Sequence, residues 1–156
     1  LEKQSILLVS HGLFEQELID RIAADVEKVF KLPVVLEENH FDLTDYYDPS
    51  RRQYDGNRLL KLLDALYHER GQKTMGLFRV DLFIPVLTYI FGQAIFRGRT
   101  GIASLYRLRN EQYGLASDKE LLYSRFRKVI IHELGHSYGL VHCTDPACVM
   151  RSATYV

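Results

Sequence analysis

The chain has 156 residues, which is enough for one domain with its own hydrophobic core. Hydrophobic residues make up 47% and charged residues 26%, as in a globular protein, and 20 Lys and Arg balance 20 Asp and Glu. This balance argues against a nucleic-acid binder, which would carry a basic excess. The lack of an apolar run of about 18 residues argues against a membrane span.

The first elements in chain order form a strand–helix–strand unit. The apolar run at residues 5–9 predicts a buried strand, and residues 33–36 predict a second one. Between them, apolar residues from Phe14 to Phe30 recur mostly at steps of three and four, which predicts an amphipathic helix. A unit of this kind joins parallel strands.

The middle of the chain is less regular. Residues 37–54 are polar and aromatic and predict a long surface loop, either a functional loop or a solvated connector. Closely spaced leucines predict a helix within 53–67, and residues 74–80 predict a third strand. Residues 82–91 are apolar but contain Pro85, which favours an irregular or edge segment.

The last elements are a strand and a long helix. Alternation of apolar and polar residues within 102–109 predicts a half-exposed strand at a sheet edge. Ser117 to Glu120 reads S-x-x-E, a capping box, and predicts a helix that begins there and runs to about Tyr138.

The end of this helix carries the motif H-E-x-x-H-x-x-G-x-x-H. His132 and His136 are four residues apart, so they lie on one face of a helix and can reach one metal ion. Gly139 can adopt a positive φ, end the helix and turn His142 towards the same ion. Three nitrogen ligands leave a fourth position open, as in a catalytic zinc site, and Glu133 lies beside the first ligand.

The two cysteines, Cys143 and Cys148, are too few to cross-link a domain of this size. Residues 1–4 lack the basic and apolar regions of a signal peptide. We therefore expect a cytoplasmic protein whose thiols are reduced or bound to metal, and no membrane partner.

From His132 to Met150 the sequence resembles the archaemetzincins, a branch of the metzincin zinc peptidases. In that family a cysteine follows the third histidine directly, then come four residues, a second cysteine, one residue and a methionine. This chain has Cys143, Cys148 and Met150 at those places. Residues 52–54 and 81–108 also look like this family, so the resemblance covers the whole domain.

The resemblance implies a zincin fold of the α+β class. It consists of a twisted mixed β-sheet with an antiparallel edge strand, a backing helix and an active-site helix. By order and pattern residues 102–108 match the edge strand, to which an extended peptide would add by backbone hydrogen bonds. Ala103, Ser104 and Leu105 would then contact the substrate. Residues 1–156 would form a single metzincin-like catalytic domain that lacks a C-terminal tail.

The same family carries a later C-x-x-C pair, which completes a four-thiolate zinc site with the first two cysteines. The resemblance therefore implies a second, structural zinc, but Cys143 and Cys148 alone do not fill a tetrahedral site. The missing pair could lie in a removed or absent tail, or two chains could share one site. Two reduced thiols near the surface are a further alternative, and the sequence does not predict the oligomeric state.

Motif and resemblance together predict a zinc metallopeptidase with one catalytic Zn²⁺ that acts on peptide or protein substrates. His132, His136 and His142 would bind the ion. Glu133 would take a proton from the attacking water and pass it to the leaving amine. By family analogy Met150 forms the apolar floor under the histidines, and Tyr155 is a weaker candidate for contact with the oxyanion.

Two other functions are compatible with parts of the sequence. A zinc-binding module with little or no peptidase activity would carry the same motif, because nothing in the sequence guarantees an open cleft. A nucleic-acid-binding zinc protein rests on the cysteines alone, and the balanced charge argues against it. His11, His40 and His68 lack ligand spacing and are predicted to be surface or hydrogen-bonding residues.

Overall fold

The structure is a computed structural model and describes residues 4–145 and 147–151. In that part of the chain nine strands form two sheets, and three helices pack against them. The strands are β1 (Ile6–Ser10), β2 (Val34–Glu38), β3 (Tyr47–Asp48), β4 (Gln53–Asp55), β5 (Lys73–Phe78), β6 (Leu82–Ile84), β7 (Leu87–Ile90), β8 (Gly92–Ala94) and β9 (Thr100–Ser104). The helices are α1 (Gln16–Phe30), α2 (Gly56–Tyr67) and α3 (Lys119–Ser137).

The larger sheet has the strand order β2-β1-β5-β9-β8. Four of its strands are parallel, and β8 alone is antiparallel and lies at one edge. The smaller sheet has the order β3-β4-β6-β7. The predicted fold class, α+β with a mixed sheet and an antiparallel edge strand, is confirmed.

Side chains of neighbouring residues in the central strands enter two different cores, because successive residues of a strand point to opposite faces. On one face Ile6 and Leu8 pack with α1 and α3. On the other face Leu7 and Val9 pack with α2 and with residues of the smaller sheet. The backing helix is therefore α1 and the helix that carries the metal motif is α3, side by side on one face.

Along α3, the buried residues Phe126, Ile130 and Leu134 recur at steps of four and point into the first core. Each such side chain contributes about 1.5–3 kcal/mol when it is removed from water. This packing fixes the helix against β9 and β8 and sets the direction in which its histidines project.

The helix begins one residue later than the capping box predicts. The N-cap of α3 is Asp118, whose Oδ1 accepts a hydrogen bond from the Leu121 N–H at 3.0 Å. The prediction of Ser117 as the cap is therefore wrong. Both side chains are short hydrogen-bond acceptors, so local sequence does not separate them.

The prediction that residues 102–109 form a half-exposed edge strand is also wrong. β9 lies inside the sheet between β5 and β8, and all five of its residues are buried. The alternation of apolar and polar residues lies in the segment from Tyr106 to Arg109. That segment is not part of the strand, because Tyr106–Leu108 form a 3₁₀ turn after the strand ends. The edge strand is β8, which at three residues is too short to show a period.

Two other segments are more regular than their sequences indicate. The predicted loop at 37–54 contains β3 and most of β4, which pair as an antiparallel hairpin. The segment 82–91 forms the hairpin β6–β7, with Pro85 and Val86 at its turn, where proline is tolerated. In the described part of the chain no helix is long and apolar enough to cross a membrane.

Candidate metal centre and active site

Three histidines converge at the C-terminal end of α3. His132 and His136 lie one turn apart on the helix, and their Nε2 atoms are 3.1 Å apart. After Ser137 the chain turns at Gly139, which has φ of 92°, and the Leu140 N–H donates to Gly135 O at 2.9 Å. This turn brings His142 Nε2 to 3.2 Å from His136 Nε2.

Hydrogen bonds on the far side of two of the rings fix the protonation of the facing nitrogens. His132 Nδ1 lies 2.8 Å from Val149 O, and His136 Nδ1 lies 2.9 Å from Leu140 O. A carbonyl oxygen only accepts, so each Nδ1 carries the proton and each Nε2 presents a lone pair. Two lone pairs 3.1 Å apart repel each other unless a cation lies between them.

This donor set fits zinc. Zn–N bonds of about 2.0–2.1 Å in a tetrahedron place two nitrogens about 3.3 Å apart, close to the separations of 3.1 and 3.2 Å. Burial, and secondarily the charges of His136 and His142, lower the pKa of His132 and favour the neutral ligand form. Among the described residues these three form the one group of His, Cys, Asp or Glu arranged to hold a metal ion.

The Glu133 side chain points away from solvent and towards β8. The residue is 9% exposed, and burial raises the pKa of its carboxyl group to about 8. Space for this side chain depends on Gly92, because a Cβ there would lie 3.0 Å from Glu133 Cγ and 2.6 Å from Ile102 O. A cation held by the nearby histidines would favour the ionised carboxylate.

Met150 lies beneath the metal-binding helix. It is 5% exposed, and a Cβ on Gly135 would lie 2.5 Å from its sulfur. The Cys143 N–H donates to Met150 O at 2.9 Å, which ties the chain after the third histidine to the chain around the methionine. The methionine therefore packs against the helix turn between His132 and His136.

Cys143 and Cys148 are partly exposed free thiols next to each other. Two hydrogen bonds lower the pKa of the Cys143 thiol. The larger effect comes from the Asp145 backbone N–H and the smaller one from the Cys148 thiol. Thiolates are zinc ligands, but two of them make half of a tetrahedral site. In residues 4–145 and 147–151 no third or fourth ligand lies with them.

The residues predicted to contact substrate are not available for it. Ala103, Ser104 and Leu105 are at most 2% exposed, and the Ser104 hydroxyl donates to Val80 O. In the described part of the chain, β8 is the edge strand next to β9. Tyr155, the weaker candidate for the oxyanion, lies outside the described residues.

The three remaining histidines lie away from the centre. His11 Nε2 is 2.8 Å from Phe41 O, His40 Nδ1 accepts from the Gly12 N–H, and His68 lies 3.7 Å from Asp64. They make hydrogen bonds or surface contacts, as predicted.

The turn between β8 and β9 also reaches the centre, and the sequence patterns did not reveal it. The Arg97 N–H donates to His136 O at 3.0 Å, and the Phe96 ring lies 6.5 Å from the His136 ring. Lys73 Nζ donates to both Gly98 O and Ser137 O, which clamps the turn to the end of α3. One available signal is charge, because residues 82–110 contain four arginines and no Asp or Glu.

Solved structures with the same fold are zinc peptidases. A zinc-dependent peptidase from Methanocorpusculum labreanum superposes with a TM-score of 0.87 at 27% identity, covering 96% of this chain and 89% of that one. An archaemetzincin from Methanopyrus kandleri gives 0.79 at 31% identity, over 99% and 83% of the two chains. Fold and metal centre thus define a zinc metallopeptidase.

The sequence comparisons narrow the class to a family. The model of peptidase family M54 matches residues 10–156. An archaemetzincin from Thermococcus kodakarensis is 34% identical over 97% of this chain and 84% of its own length. One from Methanocaldococcus jannaschii is 34% identical over 89% and 75%. The chain belongs to the archaemetzincins, peptidase family M54.

Proposed function

We propose that this metallopeptidase hydrolyses peptide bonds in peptide or protein substrates with Glu133 as the general base. His132, His136 and His142 would hold one catalytic Zn²⁺. The observation that carries this assignment is the convergence of three Nε2 atoms, with the rings of His132 and His136 held by carbonyls at Nδ1. That arrangement leaves lone pairs for a metal, and three protein ligands leave a fourth position for water or substrate.

When bound, the ion would supply Lewis-acid polarisation of the scissile carbonyl and would lower the pKa of a water molecule. The protein's own residues move the protons. The Glu133 carboxylate takes a proton from the attacking water and later passes it to the leaving amine. Packing between α3 and Gly92 excludes bulk water from this carboxyl group and restricts its orientation.

The substrate would bind as an added strand along β8. This strand ends the sheet order and has β9 as its hydrogen-bonded partner, so its other edge can accept an extended peptide. Glu133 Cγ lies 3.0 Å from the position of a Cβ on Gly92 of the same strand, which supports a general base close to the bound backbone.

The proposal includes a second, structural zinc at Cys143 and Cys148 only if two further ligands join them. Those ligands would come from residues outside the described part of the chain or from a second chain. The proposal also includes a single catalytic domain over residues 1–156 and a cytoplasmic location. The location is supported by the two free thiols, which a reducing compartment keeps unpaired.

The decisive experiment is Glu133→Gln, with bound zinc and cleavage of a peptide library measured on the same sample. We expect zinc to be retained and turnover to fall by about 10²–10⁴-fold, since removal of a general base costs about that much. Glu111→Gln, at an exposed turn residue, is the matched control and should keep turnover.

Native cleavage rates in Glu133→Gln with zinc bound would refute the general-base role. Zinc binding without turnover of any peptide by the unaltered chain would favour a zinc-binding module. The number of zinc ions per chain, with and without Cys143→Ser, decides between one and two metal sites.

A further inference from the structure

The β8–β9 turn carries an exposed cation, the guanidinium of Arg97. Within the described residues no carboxylate pairs with the Arg97 guanidinium, whose carbon lies over the Phe96 ring, 5.3 Å from its centroid. The neighbouring arginines are engaged: Arg107 forms a two-point ion pair with Asp81, and Arg99 donates to His68 O. An arginine with five N–H donors and no acidic partner among the described residues is suited to receive a carboxylate from another molecule.

The backbone fixes the position of this cation relative to the metal centre. The Arg97 N–H donates to the oxygen of His136, and its Cγ and Nε lie 3.2 Å from the position of a Cβ on Gly139. The side chain thus lies across the turn that joins the second and third histidines. Arg97 also has φ of 58°, a left-handed conformation that a non-glycine residue adopts at a cost.

The charge distribution agrees with an acidic ligand. Residues 82–110 build β6 to β9 and their turns with four arginines and no acidic residue, although the whole chain has no net charge. Acidic residues are concentrated in the first half of the chain. Arg107 is neutralised by Asp81, and the three remaining arginines give this wall of the site a positive charge, which attracts anionic substrates and repels basic ones.

We propose that Arg97 is a specificity-determining residue that binds an acidic side chain of the peptide substrate. The inference rests on the proposed function, because it assumes a peptide paired with β8. Arg97 follows Ala94 by three residues within a turn, so it lies at most about 10 Å along the chain from the end of β8. The selected Asp or Glu therefore lies within about three residues of the cleaved bond, on one side of it.

A series of matched peptides tests this. One parent peptide with a single cleaved bond is varied to Glu, Gln or Lys at each of the three positions on either side. At one position we expect kcat/KM to be about tenfold higher with Glu than with Gln, and lower still with Lys. The gain should lie in KM, because the contact is equal in the ground and transition states.

Variants then assign the preference to one side chain. Arg97→Gln should bring the Glu-to-Gln ratio close to one, Arg97→Glu should reverse the preference towards Lys, and Arg97→Lys should restore part of it. Arg99→Gln is the matched control and should keep the ratio. If Arg97 only closed the end of α3, Arg97→Gln would change the free energy of unfolding but not the Glu-to-Gln ratio.

The inference is overturned if the unaltered chain shows no charge preference at any position, or if Arg97→Gln keeps it. Those results leave the peptidase assignment intact, because the Gln-containing peptides are still cleaved. If no peptide in the series is cleaved, the proposed function fails, and the inference fails with it.

Discussion

Gly135 lies on α3 between two candidate ligands, and its lack of a side chain decides where Met150 can lie. The methionine sulfur occupies the place next to the helix backbone where a Cβ would otherwise lie. Val149, the preceding residue, supplies the carbonyl that fixes the His132 ring. A change at Gly135 therefore reaches the metal through the methionine and its neighbour.

We predict that Gly135→Ala weakens zinc binding about 10–100-fold, the usual cost of disturbing the residues that orient a ligand. Stability should change little, because alanine adds about 1 kcal/mol of helix propensity that offsets the displaced methionine. Zinc affinity by competition with a chelator and thermal unfolding measure the two effects. Adding Met150→Ala to the variant should restore part of the affinity, and unchanged affinity in Gly135→Ala would contradict the coupling.

Single residues of the metal centre were predictable where their geometry is local. Histidines at i and i+4 share a helix face in any helix, and a glycine after the helix allows the turn to His142. The contacts of Nδ1 with Val149 and Leu140 depend on how the following chain folds back. Arg97 was not predictable, because its approach to His136 joins segments almost forty residues apart.

Among the elements, α3 has the clearest start. Its first turn depends on the Asp118 carboxylate, which accepts a backbone N–H that has no partner within the helix. Ser117 is one residue too early to do the same.

We predict that Asp118→Ala lowers the free energy of unfolding by about 1 kcal/mol, the usual effect of losing an N-cap. Ser117→Ala is the matched control and should change it by less than about 0.5 kcal/mol. Denaturant unfolding of the three proteins measures the difference. An equal loss in both variants would show that the cap is shared or lies elsewhere.

Long elements with a strong period were predicted well from sequence, and short ones were not. Helices α1, α2 and α3 and strands β1, β2 and β5 lie close to their predicted positions. β8 was not predicted and β9 was assigned to the sheet edge, because a strand's neighbours are set by contacts that a local pattern does not encode. The alternation that indicated an edge belonged to the turn after β9.

At the scale of the whole molecule, metal binding and folding are linked. In the metal-free protein the Nε2 lone pairs of His132 and His136 face each other at 3.1 Å and repel, and the proposed ion would remove that repulsion. Because the ion binds the folded arrangement far better than the unfolded chain, it stabilises the fold by mass action.

We predict that zinc at one hundred times its dissociation constant raises the melting temperature by about 5–10 °C over the chelated protein. The linkage is about 2.7 kcal/mol, and each kcal/mol shifts the midpoint by about 2–4 °C at this chain length. Calorimetry with and without zinc measures the shift, and His142→Ala should lose most of it. An equal shift in His142→Ala would place the stabilising ion at another site.

The order of the elements along the chain has a consequence for synthesis. All nine strands of the described part of the chain precede α3, which covers β5, β8 and β9 on one face and carries His132 and His136, with His142 following its end. At about 5–20 residues per second, the ribosome needs about 2–8 s to go from the end of β9 to His142. During that interval part of the sheet's apolar face lacks its covering helix, and the nascent chain cannot yet capture its metal. Completion of the core and acquisition of the ion are therefore a single late event, which exposes an arrested chain to chaperones and proteases.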